Sequence, residues 1–222
     1  MNTRLRKDLS VFLSNFYKFE RIELNNSDEL AIAGTVDVVD KVGVHWKSYK
    51  IVILLNEENY PNIIPKVFEL TDIIERDWGY HISKNGFCCL DIPHKLIKQK
   101  RRGINLTEFY KNVIYPFFAN HQFKLAKGNY ANGEYKHHEK GIIQFYEEEF
   151  KLTDLEVIIK HIELAVGMFK AEPNKKCPIC GKPKYKKCCK PVSNRLAVYG
   201  MSRLKSDLEI FRKRADEMLT NS

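Results

Sequence analysis

Four of the six cysteines lie within thirteen residues, in the order Cys177, Cys180, Cys188 and Cys189. The segment around them is rich in lysine and has few apolar residues that could form a core. The chain begins without an apolar leader, so we expect a reducing, cytoplasmic setting in which disulfides do not persist. Four close thiols suit a tetrahedral structural zinc ion, because a closed set of four ligands leaves no open position for catalysis. The sequence therefore predicts a small zinc element at residues 173–192.

The composition is that of a globular protein, with 222 residues of which 44% are apolar. The longest unbroken apolar run is Ile51–Leu55, far below the ~20 residues of a transmembrane helix, so we expect no membrane partner. The net charge is +9, but seven lysines and one glutamate fall between residues 171 and 190. Zinc with four thiolates carries a net charge of −2, which some of these lysines offset. Nucleic acid is therefore not the expected partner.

Hydrophobic spacing predicts an α+β fold. Three- and four-residue spacing indicates a helix over residues 3–18, and alternation indicates strands at 30–39, 44–55 and 66–71. Tyr49, Ile51, Ile53 and Leu55 share one face of the second strand. Residues 72–103 lack clear periodicity. Helices are expected at 106–119, at 138–150, after a capping box that begins at Thr153, and from 194 to 218. The first part is thus a helix followed by an antiparallel meander.

Two stretches carry a family resemblance: YPNIIPKVFEL from residue 60 and HISKNGFCCLDIP from residue 81. They resemble the catalytic region of ubiquitin-conjugating, or UBC-like, enzymes. In that family a Tyr-Pro pair, a second proline, a strand and an irregular stretch precede the pattern Asn-Gly-x-Ile-Cys-Leu-Asp-Ile. In this register Cys89 falls on the catalytic cysteine, and Cys88 falls on a usually apolar position. The resemblance covers roughly residues 1–120 and implies a UBC-like fold and a cysteine-dependent acyl transferase.

The resemblance also implies residues that support Cys89. His81 takes the place of the family's asparagine, which stabilises the oxyanion during acyl transfer. An imidazole N–H can donate to an oxyanion, a neutral imidazole can act as a base, and a structural histidine is an open alternative. Asn85 and Asp91 fall within the motif and are candidate supporting residues. A basic run follows, and we expect it to lower the pKa of the Cys89 thiol; it comprises Lys95, Lys98, Lys100, Arg101 and Arg102.

His137 and His138 lie beyond the region of resemblance. A histidine from a later segment can serve as a base beside a thioester. The alternative is that both belong to the solvated start of a helix. Both readings stay open at this point.

The cysteine segment CPICGKPKYKKCC resembles the SEC-C motif, a small zinc-binding element commonly written CPCGSGKKYKKCC. The total span is equal, but the first gap is two residues instead of one and the second is seven instead of eight. The resemblance implies four zinc ligands and permits a role in protein docking. The ligands are Cys177, Cys180, Cys188 and Cys189.

Together the two resemblances imply a prokaryotic conjugating enzyme, as in the short type II CBASS antiphage operons. Cys89 would then carry the C-terminal glycine of a cGAS-like nucleotidyltransferase as a thioester and pass it to an amine. The chain has no glycine-rich nucleotide loop, so activation must come from elsewhere. The implied domains are a conjugating domain at 1–150, a connecting helix at 151–172, the zinc element at 173–192 and a C-terminal helix at 193–222. The alternatives are a non-catalytic UBC-like adaptor and a zinc-containing nucleic-acid-binding protein.

Overall fold

The structure is a computed structural model that describes residues 2–24, 29–131, 135–136 and 139–220. The chain divides into two compact units, Met1–Glu134 and Tyr135–Ser222. The α+β prediction is confirmed, with the sheet in the first unit. The helix at 139–150, which the sequence placed with the first domain, belongs to the second compact unit.

The first unit begins with helix α1 (Thr3–Asn15), followed by an antiparallel sheet. The strands are β1 (Phe19–Ile22), β2 (Glu29–Val39), β3 (His45–Asn56) and β4 (Lys66–Glu69), and they lie side by side in chain order. The sequence did not predict β1, because its four residues bury only one large apolar side chain and show no alternation. The predicted meander is therefore confirmed and gains one edge strand.

Alternation along β3 places the core as expected. Its predicted inner face is fully buried, and α1 buries its apolar stripe in the same core. The residues concerned are Tyr49, Ile51, Ile53 and Leu55 on β3, and Leu5, Leu9 and Phe12 on α1. The α1 helix starts at Asn2, whose side chain accepts a hydrogen bond from the Leu5 N–H at 2.8 Å. This cap satisfies one of the donors that a helix start leaves free.

After β4 the chain is irregular except for a short 3₁₀ turn at Trp78–Tyr80. Helix α2 (Pro93–Arg102) follows, so the expectation of an irregular stretch to residue 103 is wrong at its end. The sequence did not predict this helix, because lysine and arginine dominate it and leave little apolar periodicity. Pro93 is favourable in its first turn. Helix α3 (Leu106–Phe109), a π-helical turn (Tyr110–Ile114) and α4 (Tyr115–Lys127) then extend the predicted 106–119 helix.

The second unit contains α5 (Glu139–Phe150), α6 (Leu155–Ala165), α7 (Lys190–Ala197) and α8 (Met201–Thr220). The single final helix predicted at 194–218 is two helices, which separate near Gly200, a residue with φ +80°. The N-cap of α6 is Asp154 and not Thr153, because the Asp154 carboxylate accepts from the Val157 N–H at 3.0 Å. Every helix in the described part of the chain is too short or too polar to traverse a lipid bilayer.

Candidate functional site

The segment that carries Cys88 and Cys89 is held by hydrogen bonds on two sides. On one side the Cys88 N–H donates to the Val67 carbonyl of β4 at 2.9 Å. On the other side Ile82 and Cys88 form an antiparallel bridge, and the Cys89 N–H donates to the His81 carbonyl at 2.8 Å. The backbone at Cys89 is therefore fixed by contacts distant in sequence.

Adjacent residues in an extended segment point to opposite sides, and the two thiols follow this rule. Cys88 is 2% exposed, whereas Cys89 is only half-buried. Burial and the neighbouring Glu69 raise the pKa of Cys88 to about 12. Burial also raises the pKa of the Cys89 thiol, so the expected lowering by the basic run is wrong. Desolvation of the thiol is the cause, since burial disfavours the charged thiolate.

The Asn85-Gly86 turn sets where this segment begins. Gly86 has φ +83°, and a Cβ atom there would lie 2.3 Å from the Glu69 carbonyl oxygen. The Gly86 carbonyl in turn accepts the Glu69 N–H at 2.9 Å. The Asn85 side chain contacts the Ser83 hydroxyl inside the turn. In this structure Asn85 shapes the turn that leads to the cysteines.

His81 ends the 3₁₀ turn in the left-handed region, with φ +56°. Its ring packs against Tyr130 with a centroid distance of 5.6 Å. The preceding Gly79 carbonyl accepts from the Lys124 ammonium at 2.7 Å, which ties the turn to α4. The structure thus brings the His81 backbone against Cys89 and holds it from two elements.

Asp91 lies two residues beyond Cys89 and is partly buried. Burial raises the pKa of its carboxyl group, and the Ile92 N–H, Lys95 and His81 oppose that rise. The Lys95 ammonium is 3.8 Å from the carboxylate. The Coulombic influence of His81 places these two sequence-predicted residues in one electrostatic environment. His137 and His138 lie outside the described residues.

A buried ion pair beside the site has no signature in the sequence. Glu69 is 1% exposed, and its carboxylate is 2.7 Å from the Arg76 guanidinium. Arg76 also donates to the Glu69 carbonyl at 2.9 Å and to Asp72 at 2.8 Å. This pair fixes the end of β4 against which the Gly86–Cys88 segment lies. Only the fold reveals it, because Glu69 ends a strand and Arg76 lies in the following stretch without periodicity, so no local pattern pairs them.

The second unit brings together the four clustered cysteines. Their sulfur atoms all lie within 4.8 Å of one another, so they could hold a metal ion. Zinc–sulfur bonds of about 2.3 Å in a tetrahedron place sulfurs roughly 3.8 Å apart, which this cluster can meet with small shifts. The Cys177 N–H donates to the Lys182 carbonyl at 2.8 Å, and the Gly181 N–H donates to the Cys177 carbonyl at 2.9 Å. A backbone hydrogen bond from Lys182 lowers the pKa of Cys180 to about 7, whereas burial and then the neighbouring thiols raise the pKa of Cys188 and of Cys189.

The cysteine cluster rests on apolar and polar supports. Cys177, Ile179 and Tyr185 form a small buried cluster that packs against side chains of α6. His161 of α6 is 2% exposed, and its Nδ1 lies 2.9 Å from the Ser193 hydroxyl of α7. The Ser193 hydroxyl donates to the Cys189 carbonyl at 3.3 Å. These contacts anchor both ends of the cysteine loop to helices.

Comparison of the chain with protein-family models, with curated proteins and with solved structures gives no significant match. A functional assignment therefore depends on the motifs and on the geometry around them. That geometry brings His81, Asn85, Cys89 and Asp91 into one region of the first unit. It brings the four remaining cysteines into one cluster of the second.

Proposed function

We propose that the chain is a UBC-like conjugating enzyme, which carries an acyl group as a thioester on Cys89 and passes it to an amine. The observation that carries this proposal is the pair of adjacent thiols, of which the one in the catalytic register is accessible and its neighbour is buried. A helix followed by a four-stranded antiparallel meander precedes them, in the order that the resemblance implies. Cys89 follows a turn held by Gly86, as the motif requires.

The chemistry needs an activated carboxylate, supplied as a thioester or an acyl adenylate by another protein. The Cys89 thiolate attacks its carbonyl carbon, a C–S bond forms, and the leaving thiolate or nucleotide departs with its electron pair. An amine then attacks the thioester, a C–N bond forms, the C–S bond breaks, and the amine proton passes to the thiolate or to solvent. A raised thiol pKa lowers the thiolate fraction at neutral pH but makes each thiolate more nucleophilic.

His81 is the proposed oxyanion donor in both steps. An imidazole N–H can donate to the developing negative charge where the family uses an asparagine amide. Support comes from its position, because its carbonyl already accepts the Cys89 N–H and its ring is packed against Tyr130. Asp91 is the proposed supporting carboxylate near the incoming amine.

The four-cysteine cluster is the proposed SEC-C zinc site. Cys177, Cys180, Cys188 and Cys189 would hold the ion, which would cross-link a loop that has few apolar contacts of its own. The proposed carried protein is a cGAS-like nucleotidyltransferase with a C-terminal glycine, and the proposed setting is bacterial antiphage defence in the cytoplasm. Both of these follow from the resemblance of residues 60–93 and 177–189.

Intact-mass analysis after co-expression with the neighbouring genes tests the proposal. The wild type should carry a reductant-labile adduct, Cys89→Ser a reductant-stable ester, and Cys89→Ala none. Cys88→Ser is the matched control and should load like the wild type, because that thiol is buried. The adduct mass identifies the carried protein.

A stable complex that forms without any adduct and is unchanged in both Cys89 variants would replace this proposal with the non-catalytic adaptor. The replacement of the family's asparagine by His81 favours that second candidate. The same experiment therefore separates the two functions.

A further inference from the structure

Helix α2 concentrates the positive charge of the first unit. Its ten residues contain five lysines and arginines and no acidic residue. The remaining residues of Met1–Glu134 contain fourteen basic and sixteen acidic residues, so the unit is slightly acidic outside this helix. The positive field of the first unit therefore comes from one short element, directly after the Cys89 motif.

Three of the five basic residues of α2 share one side of the helix. Lys98 and Arg102 lie three and seven residues after Lys95, and this spacing places all three on one stripe of the helix. We name these three residues the α2 basic stripe. His94 is fully buried and lies four residues before Lys98, so it anchors the helix along one border of the stripe. Lys95 and Arg102 are exposed, and the Lys95 ammonium lies 3.8 Å from the Asp91 carboxylate. The stripe thus begins beside a residue that is two positions from Cys89.

We infer that the α2 basic stripe docks an acidic segment of the protein whose C-terminus Cys89 carries. The inference rests on the proposed function and adds a specificity determinant to it. The terminal carbonyl of the carried protein must lie at Cys89 while the thioester forms, so the residues just before it are held beside α2 during loading and afterwards. Individually weak exposed charge pairs can then orient it. An untethered acceptor has no such advantage.

The length of α2 defines which acidic residues of the carried protein can reach the α2 basic stripe. Ten helical residues span about 15 Å, and an extended peptide advances about 3.3 Å per residue. A tail that starts at the Cys89 thioester and runs along α2 therefore passes the stripe within roughly its last ten residues. The acidic residues that the stripe recognises lie in that window before the terminal glycine.

A protein segment fits this surface better than a nucleic acid does. Proteins that bind nucleic acid tightly through the backbone typically neutralise about 6–10 phosphates over an extended basic surface. The stripe offers three charges, five with Lys100 and Arg101, on a unit that is otherwise slightly acidic. This local charge suits a short run of carboxylates.

Peptide thioesters test the inference on the full chain without any activating partner. Three peptides of equal length end in glycine as 2-mercaptoethanesulfonate thioesters and carry Glu, Gln or Lys at the same four positions before it. Loading of Cys89 is followed by intact mass, with Cys89→Ala as the background. At about 0.05 M NaCl we expect the Glu peptide to load about tenfold faster than the Gln peptide, and the advantage to vanish at about 0.5 M.

Charge reversal provides the second arm. The triple variant Lys95→Glu, Lys98→Glu, Arg102→Glu should lose the preference for the Glu peptide and load the Lys peptide faster. The triple Gln variant should show no preference. Lys41→Glu, Lys47→Glu, Lys50→Glu makes the same charge change at exposed positions elsewhere on the unit and should keep the wild-type preference.

The outcomes separate the two proposals. Loading of Cys89 at equal rates by all three peptides would overturn the docking surface and leave the acyl transferase standing. Absence of Cys89-dependent loading by every peptide would overturn both. Inhibition of loading by a single-stranded oligonucleotide at physiological salt, lost in the triple Glu variant and without discrimination among the peptides, would assign the stripe to nucleic acid instead.

Discussion

The Cys89 N–H donates to the His81 carbonyl oxygen at 2.8 Å, so the backbone of the proposed nucleophile is fixed by the residue proposed to serve its oxyanion. His81 itself sits at φ +56° at the end of a 3₁₀ turn. Two residues eight positions apart are thereby locked as neighbours. Such positioning before substrate arrives is what acyl transfer requires of its groups.

Alkylation should distinguish the two adjacent thiols. Because burial raises the pKa of Cys89, its reaction with iodoacetamide should be slower at pH 7.5 than that of a free-cysteine peptide and should rise with pH beyond the range where the peptide levels off. Cys88 should stay unmodified in the native protein, since it is 2% exposed. Peptide mapping by mass spectrometry measures both. A Cys89 rate that reaches its plateau below pH 8 would contradict the raised pKa.

Replacement of Gly86 by alanine should destabilise the first unit by at least about 2 kcal/mol, through positive-φ strain and a clash with Glu69. Gly43 is the matched control, because its φ is +87° and nothing lies within 4 Å of its Cβ position. Gly43→Ala should cost only about 1 kcal/mol. Trp46 and Trp78 both belong to the first unit, so urea unfolding followed by tryptophan fluorescence reports the difference. Equal costs would show that the close approach at Gly86 relaxes easily.

Metal loading should depend on the four clustered cysteines and on pH. We expect one ion per chain, and cobalt substitution should give thiolate charge-transfer absorption. Cys180→Ser should weaken binding by more than about a hundredfold, whereas Cys88→Ser should leave it unchanged. Affinity should fall as the pH falls, because thiolates must lose protons to bind. Equal metal content in Cys180→Ser and the wild type would contradict the assignment.

The first unit should lose stability in acid through His121. Burial, followed by the nearby Lys124, lowers the pKa of His121 to about 4, and its Nδ1 lies 2.6 Å from the Tyr49 hydroxyl. In the unfolded chain His121 takes up a proton near pH 6.5, while in the folded chain it does so only near pH 4. Stability is therefore fully present above pH 6.5 and falls by about 1.4 kcal/mol per pH unit between 6.5 and 4.

His121→Gln provides the control for that prediction. Glutamine has no proton to gain and can still bond the Tyr49 hydroxyl. The slope of unfolding free energy against pH, followed by tryptophan fluorescence, should be shallower in this variant by the His121 contribution. Identical slopes would show that other groups cause the acid sensitivity.

Local pattern predicted the regular core. The buried stripe of α1 and the inner face of β3 follow from three-to-four and two-residue periodicity, which burial on one side enforces. Helix α2 was not predicted, because lysine and arginine dominate it and its one fully buried side chain, His94, is not apolar. The break at Gly200 shows how one glycine divides an amphipathic pattern that reads as continuous.

The candidate site was likewise predicted in part from local sequence patterns. The motif register predicted Cys89 as the reactive cysteine. The spacing of the clustered cysteines predicted one metal-binding group. The direction of the pKa shift of Cys89 could not be predicted, because it results from burial of the thiol in the folded chain. The Glu69–Arg76 ion pair likewise could not be predicted, because the fold of the segment between β4 and the 3₁₀ turn brings the two residues together.

The length of the turn from Ser83 to Phe87 also determines which of the two cysteine thiols is exposed. Since side chains alternate along the extended segment, inserting or deleting one residue in this turn would exchange the sides on which the two cysteines lie. Cys88 would then meet solvent and Cys89 would enter the core. The identity of the accessible thiol is thus decided by a residue count in a loop that contains neither of them.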